Sequence, residues 1–168
     1  LQKNIYHLIV QSLLKSLYPA ILKMLKNFFR MPKKKKSNIY VSSNMRFHPG
    51  PEKIKENLHK VGKIFFSNVF FGNYLPFMRP RTDYKKIYAS KNKEGGGVLL
   101  DSIHELDYIR WIFGDCKIVN IYGEKLSNLK IDVEDFVNYT LIHPKNNITN
   151  VQLDFLRVKK KKRHRGCW

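Results

Sequence analysis

The chain has 168 residues, of which 43% are hydrophobic, and this length allows one ordinary domain with a sizeable core. The formal net charge of +19 is unevenly spread, because residues 1–38 hold nine Lys and Arg, residues 158–168 hold six, and all 13 acids lie between them. The two distant cysteines, Cys116 and Cys167, exclude a disulfide framework and a cysteine metal site, and they favour a reducing cytoplasm.

Residues 1–38 form a basic segment with several open interpretations. Residues 5–22 are fairly apolar, but Lys15 interrupts them, so they lack the ~18 uninterrupted apolar residues of a membrane span. An amphipathic surface helix and a disordered, solvated segment are two interpretations. The third is that residues 1 to about 37, and likewise 158–168, are translated out of frame around an in-frame core, because codons for Val10-Gln11-Ser12 read one base later can encode Cys-Asn-Pro.

Two basic runs, residues 33–36 and 159–165, would attract nucleic acid or an anionic membrane by electrostatics alone. No nucleic-acid-binding module accompanies them, and the aromatic residues between them do not form a stacking platform. We therefore expect no specific nucleic-acid binding.

The section between the basic ends, residues 39–157, has a readable element order. Residues 51–61 have helical periodicity, 63–71 alternate as a strand, and 98–113 form a helix that ends at Gly114. Strands follow at 117–124, 135–143 and 148–156, with short turns between them that predict antiparallel pairs. The sequence predicts an α+β fold, an open and mainly antiparallel sheet with helices on one face. The sheet ends after Leu156, and an unpaired edge there would invite association.

The helix at residues 98–113 carries ionisable groups among apolar ones. At about 100° per residue, one stripe holds Asp101, His104, Tyr108 and Trp111, and the opposite stripe holds Leu99, Ile103, Leu106 and Phe113. An acid, an imidazole and a phenol on one stripe suit proton transfer to or from a polar substrate. A histidine that is only a hydrogen-bonded core residue is the alternative.

The motifs of this helix resemble a known family. Gly95-Gly96-Gly97, followed by Asp101, His104, Asp107 and Trp111-Ile112-Phe113-Gly114, resembles the opening of the long second-domain helix in the Gfo/Idh/MocA family of NAD(P)-dependent sugar oxidoreductases. The resemblance implies that Asp101 and His104 are the catalytic pair, with His104 as the acid/base. Many members have the Asp and His four residues apart rather than three, and both spacings share a helix face.

Upstream segments 41–49, 74–80 and 83–90 are similar to the family's domain junction and substrate-side loop, in the same order. This similarity implies substrate binding by Arg46, Asp83, Tyr84, Tyr88 and Asp107. A structural cap is an equal alternative for Arg46, and Asp107 is also expected to orient the His104 imidazole.

Residues 39–157 are thus identified as a substrate domain whose parent enzyme would transfer hydride between NAD or NADP and a sugar or sugar-derived substrate. No Gly-x-Gly-x-x-Gly occurs, so we expect this chain alone to bind no NAD(P) and to be inactive. No metal site is expected. The resemblance also implies a homo-oligomer formed through the free face of the sheet. The alternative function is a non-catalytic binding or structural module whose basic termini contact anionic partners.

Overall fold

A computed structural model describes residues 42–158 and the strand at Arg163–Cys167. These residues form three helices and five strands, with 3₁₀ turns between them. In chain order they are α1 (Pro49–Asn57), β1 (Phe66–Gly72), α2 (Val98–Asp101), α3 (Ile103–Phe113), β2 (Lys117–Glu124), β3 (Phe136–Ile142), β4 (Ile148–Asp154) and β5 (Arg163–Cys167). The alternatives for residues 1–38 lie outside the described residues. Among the described helices, none has the length and apolarity to cross a bilayer.

The strands form one sheet in the order β2-β3-β4-β1-β5. The pairs β2/β3, β3/β4 and β1/β5 are antiparallel, whereas β1 and β4 run parallel from the Phe66/Ile148 pair to the Gly72/Asp154 pair. This arrangement confirms the predicted α+β fold with a mainly antiparallel sheet. The parallel pair has a long crossover that contains α2 and α3, as parallel strands require.

Strand β5 lies in the segment for which the sequence favoured a tail outside the fold. It pairs with β1, and Cys167 stands opposite Phe66. Strand β4 is flanked by β3 and β1, so the unpaired edge expected after Leu156 does not occur at β4.

The core lies between one face of the sheet and the helices. Alternate side chains of the central strands are fully buried, and Leu106 and Ile109 of α3 are fully buried with them. The strand members of this core are Val69, Val137, Tyr139, Leu141, Val151 and Leu153. On the opposite face a polar ladder crosses three strands, since Thr140 Oγ1 donates to Asn150 Oδ1 (3.1 Å) and Asn150 Nδ2 donates to Asn68 Oδ1 (3.2 Å).

The helix predicted at residues 98–113 is divided at Ser102. Its backbone leaves the helical region (φ −107°, ψ 22°), and its carbonyl accepts from the Glu105 N–H three residues later. A tightened turn therefore joins α2 to α3, and the side chains of α3 do not continue the spacing of about 100° per residue of those of α2.

Helix α1 begins earlier than the sequence predicted. Pro49 occupies its first turn, and His48 Nδ1 accepts from the Gly50 N–H at 3.1 Å. Proline is favoured at a helix start because its missing N–H has no helical partner there. The predicted end of the helix is replaced by a 3₁₀ turn at Leu58–Lys60.

Candidate active site

The loop before α2 folds back onto itself and brings its own side chains to the start of that helix. Four 3₁₀ turns, Leu75–Phe77, Tyr84–Lys86, Tyr88–Ser90 and Asn92–Glu94, form this loop. The Gly97 N–H donates to the Ala89 carbonyl at 2.9 Å, which fixes the loop beside the helix entry.

Gly96 is the closest point of this contact. An added Cβ at Gly96 would lie 2.4 Å from the Tyr88 carbonyl oxygen and 2.7 Å from that of Ala89. Only glycine allows the two backbone segments to approach so closely. The glycine run therefore serves packing within the chain and places Tyr88 next to α2.

Tyr88 forms the first polar contact of the site. Its hydroxyl donates a hydrogen bond to Asp101 Oδ1, and the Arg79 guanidinium lies 5.3 Å from the centre of its ring. The hydrogen bond to Asp101, together with partial burial, raises the pKa of Tyr88. Tyr88 therefore stays a phenol that donates to Asp101.

His104 lies one turn further along, on α3. Its imidazole and the Phe71 ring are nearly perpendicular, with their centres 5.5 Å apart, and its Nε2 lies 3.3 Å from Glu105 Oε1. The His104 side chain is 33% exposed, whereas that of Glu105 is fully buried. The imidazole is therefore held from the protein side and accessible from solvent.

Glu105 is also bound by Tyr108, whose hydroxyl donates to Glu105 Oε2. Burial, followed by the nearby carboxylate charge, raises the pKa of Tyr108 far above its ordinary value. The predicted stripe is wrong for Tyr108, which is 1% exposed and belongs to the core. Its role is to hold Glu105, not to exchange protons with a substrate.

Asp107 contacts Arg46 rather than His104. Arg46 Nε donates to Asp107 Oδ2 at 2.9 Å, and Arg46 Nη2 donates to Asp107 Oδ1 at 2.6 Å. This bidentate ion pair joins the 3₁₀ turn at Asn44–Phe47 to α3. The expectation that Asp107 orients the imidazole is wrong for this structure, since both carboxylate oxygens accept from Arg46. For Arg46, this contact matches the structural alternative.

Asp83 and Tyr84 face a different part of the loop. Asp83 Oδ1 accepts from the Lys85 N–H at 3.0 Å and begins the turn at Tyr84–Lys86. The Tyr84 hydroxyl accepts from the Lys130 N–H at 3.3 Å. These contacts give both residues a role in shaping the loop, and their sugar binding stays a prediction.

The structure thus brings together Tyr88 with Asp101, and His104 with Glu105. The described residues show no hydrogen bond between Asp101 and His104. The break at Ser102 explains this, because a single helical phase does not extend from α2 into α3.

Sequence reasoning missed two neighbours of the imidazole, Glu105 and Phe71. A residue adjacent to His104 on a helix points about 100° away from it, so spacing favoured Asp107 instead. The signal that was available for Glu105 is its position on the same helix face as Ile109 and Ile112, which places a carboxylate among apolar side chains.

NAD(P), which the resemblance implies, has phosphates that need a glycine-rich turn between a strand and a helix. The glycine run here is filled by the chain's own backbone at Gly96 and leads into a helix of four residues. The described residues therefore do not fit the phosphates of a dinucleotide. The described residues also contain no group of three or more His, Cys, Asp or Glu side chains able to hold a metal ion.

A family model described as the GFO/IDH/MocA C-terminal domain matches residues 54–165, about two thirds of the chain. No curated protein matches the sequence significantly. The resemblance found in the sequence is confirmed by the match to the family model.

Several solved structures share the fold. An oxidoreductase from Thermotoga maritima is 22% identical with a TM-score of 0.66, over 83% of this chain and 43% of that chain. An oxidoreductase from Agrobacterium radiobacter, solved with NAD+, L-tartaric acid and magnesium, is 20% identical (TM-score 0.59; 74% and 36% covered). The WlbA dehydrogenase from Bordetella pertussis, solved with NADH and UDP-GlcNAcA, is 19% identical (TM-score 0.60; 73% and 35% covered). The chain therefore spans less than half the length of these relatives.

Proposed function

The chain belongs to the GFO/IDH/MocA family, because residues 54–165 match the C-terminal domain of that family. On that premise, we propose that the chain is the substrate-binding part of an oxidoreductase. The reaction proposed is hydride transfer between NAD(P) and a sugar or sugar-derived substrate. The likeness to the dehydrogenase solved with NADH and UDP-GlcNAcA supports this substrate class. Because the described residues do not fit the dinucleotide phosphates, the cofactor would be held by a separate domain, and we expect calorimetry of this chain with NADH or NADPH to show no binding.

The single observation that carries the proposal is the environment of His104. The buried Glu105 carboxylate lies 3.3 Å from Nε2 and orients the ring, while the exposed third of the side chain can reach a substrate hydroxyl. The ring nitrogen that does not face Glu105 makes no hydrogen bond within the described residues. That nitrogen takes the hydroxyl proton as a general base, and it returns the proton in the reverse direction.

Tyr88 and Asp101 would bind and orient the substrate. Asp101 already accepts from the Tyr88 hydroxyl, so its second oxygen is available to a sugar hydroxyl. The Arg79 guanidinium above the Tyr88 ring adds a positive charge suited to an acidic sugar.

The test is a His104→Ala substitution in a protein joined to a family dinucleotide-binding domain and assayed on a panel of sugar acids and nucleotide sugars. We expect turnover to fall by about 10² to 10⁴, the usual range for loss of a general acid or base. Leu106→Ala is the control on the buried face, and it should lower the free energy of unfolding by about 2–5 kcal/mol with little effect on turnover of the folded fraction. Unchanged turnover in folded His104→Ala would remove this residue from the mechanism.

We also propose self-association through the sheet face that bears the polar ladder. Phe66, Tyr122 and Ile148 lie on that face and are 39%, 52% and 39% exposed. Sedimentation should show Ile148→Asp shifting the chain toward monomer, whereas Leu126→Asp, in the loop after β2, should not. A wild-type chain that sediments as a monomer would contradict the proposal.

A further inference from the structure

A second concave site lies between the loop before α2 and the loop that connects β2 to β3. It is a cleft of about 520 Å³, which falls within the ~300–1,000 Å³ range of small-molecule sites. Its lining contains four lysines and a single acid. The lining residues are Lys85, Ser90, Lys91, Lys125, Asn128, Leu129, Lys130, Ile131 and Asp132.

The positive charge of this lysine cleft is not neutralised from within. Lys91 pairs with Glu94 at 2.7 Å, but Lys85 and Lys130 have no carboxylate partner among the described residues. Lys125 Nζ donates to a carbonyl oxygen, that of Ser127, at 3.1 Å. A net positive charge therefore remains at the cleft.

The one acid of the lining is occupied in holding the two walls together. Asp132 Oδ1 accepts from the Asn92 N–H at 2.8 Å, and the Asp132 N–H donates to the Ser90 carbonyl at 3.3 Å. The Lys130 N–H adds a third bond between the walls by donating to the Tyr84 hydroxyl. The lysines are thus carried on walls that are already fixed relative to each other, which lowers the ordering cost of binding.

We propose that the lysine cleft binds the phosphate group of an anionic ligand. Lysine ammonium groups are compact charges that bind phosphate oxygens with charge-assisted hydrogen bonds. Four lysines from two loops line one cleft, so their positive charges add up there. The inference does not depend on His104 or on the oxidoreductase proposal, because it concerns binding alone.

The experiment is a calorimetric titration of the full chain with inorganic pyrophosphate at low ionic strength. We expect saturable binding that the double variant K85A/K130A weakens by about tenfold, one charge-assisted contact being lost for each lysine. The control is K53A/K60A, which removes two exposed lysines of α1 and the turn after it and leaves the same net charge. Circular dichroism checks that both variants keep the fold.

Equal weakening by the two double variants, or no saturable binding, would overturn the proposal, since both results mean general attraction to a basic chain. Glucose 1-phosphate and inorganic phosphate distinguish the source of the phosphate. If glucose 1-phosphate binds more tightly than inorganic phosphate, and K85A/K130A loses that binding, the ligand is a sugar phosphate. If the two compounds bind equally, and K85A/K130A loses both, the ligand is a free anion.

Discussion

At the residue scale, the His104 imidazole lies between the Phe71 ring and a fully buried carboxylate, that of Glu105. A buried carboxylate is costly unless it is hydrogen-bonded. The Tyr108 hydroxyl supplies such a bond to Glu105, and burial keeps that hydroxyl protonated. The core of the domain thus holds the Glu105 side chain directly behind the imidazole.

For the proposed mechanism, we infer from this contact that Glu105, and not Asp107, positions His104. In the protein joined to a dinucleotide-binding domain, Glu105→Gln should lower kcat by at least about tenfold, because the neutral amide no longer stabilises the imidazolium. KM should change little, since Glu105 is buried away from the substrate.

Asp107→Asn is the matched control for that substitution. It removes the same charge two residues along α3, and its partner is Arg46. We expect Asp107→Asn to weaken the attachment of the turn at Asn44–Phe47 and to leave kcat close to that of the wild type. A larger loss of kcat in Asp107→Asn than in Glu105→Gln would reverse the assignment.

At the element scale, the position of the loop before α2 depends on one close backbone contact. Gly96 lies so near the Tyr88 and Ala89 carbonyls that a methyl group cannot be added without moving the loop. The same loop presents Tyr88 to Asp101 and forms one wall of the lysine cleft. Both proposed sites therefore depend on this contact.

Gly96→Ala should lower the free energy of unfolding by about 1–3 kcal/mol, the usual cost of overpacking. Gly50→Ala is the control, because its added Cβ has no neighbour closer than the His48 ring at 3.4 Å and alanine suits a helix. Urea unfolding of the two variants measures the difference. Equal stabilities would show that the loop can yield at Gly96 without cost.

At the scale of the whole molecule, His143 joins the sheet to the end of α3. It is 1% exposed, its Nε2 lies 2.9 Å from Thr149 Oγ1, and its Nδ1 lies 3.3 Å from the Gly114 carbonyl oxygen. Burial lowers the pKa of His143, although the backbone of Gly114 and Asp115 partly opposes the shift. The folded protein therefore keeps His143 neutral.

This shift predicts how stability depends on pH. Above pH 6.5, the ordinary pKa, the imidazole is neutral whether the chain is folded or unfolded, and the contribution of His143 does not change. As pH falls below 6.5, His143 becomes protonated in the unfolded chain but stays neutral in the folded chain. The free energy of unfolding therefore decreases until the pH reaches the lower pKa of His143 in the folded chain.

Urea unfolding at pH 7.5 and pH 5 measures the effect. His143→Gln should lose less stability between these two values than the wild type, because the other titrating groups are common to both. NMR titration of the His143 imidazole provides an independent measurement. A folded-state pKa at or above 6.5 would contradict the prediction.

The sequence by itself determined the elements that depend on local pattern. Alternation predicted β2, β3 and β4, and helical periodicity with a terminal glycine predicted α3, because side-chain periods of two and 3.6 residues are local properties. The motifs around Asp101 and His104 also indicated the family. The partner of His104 was not predictable in this way, since spacing assumes one unbroken helix and Ser102 interrupts it.

Only the tertiary structure decided which distant segments meet. The parallel pairing of β1 with β4 joins residues about 80 positions apart, and the Arg46–Asp107 pair joins residues 61 positions apart. The lysine cleft likewise combines two loops that are separated by α2, α3 and β2. Such contacts depend on how the apolar faces of the elements pack against one another, and no local period in the chain encodes that choice.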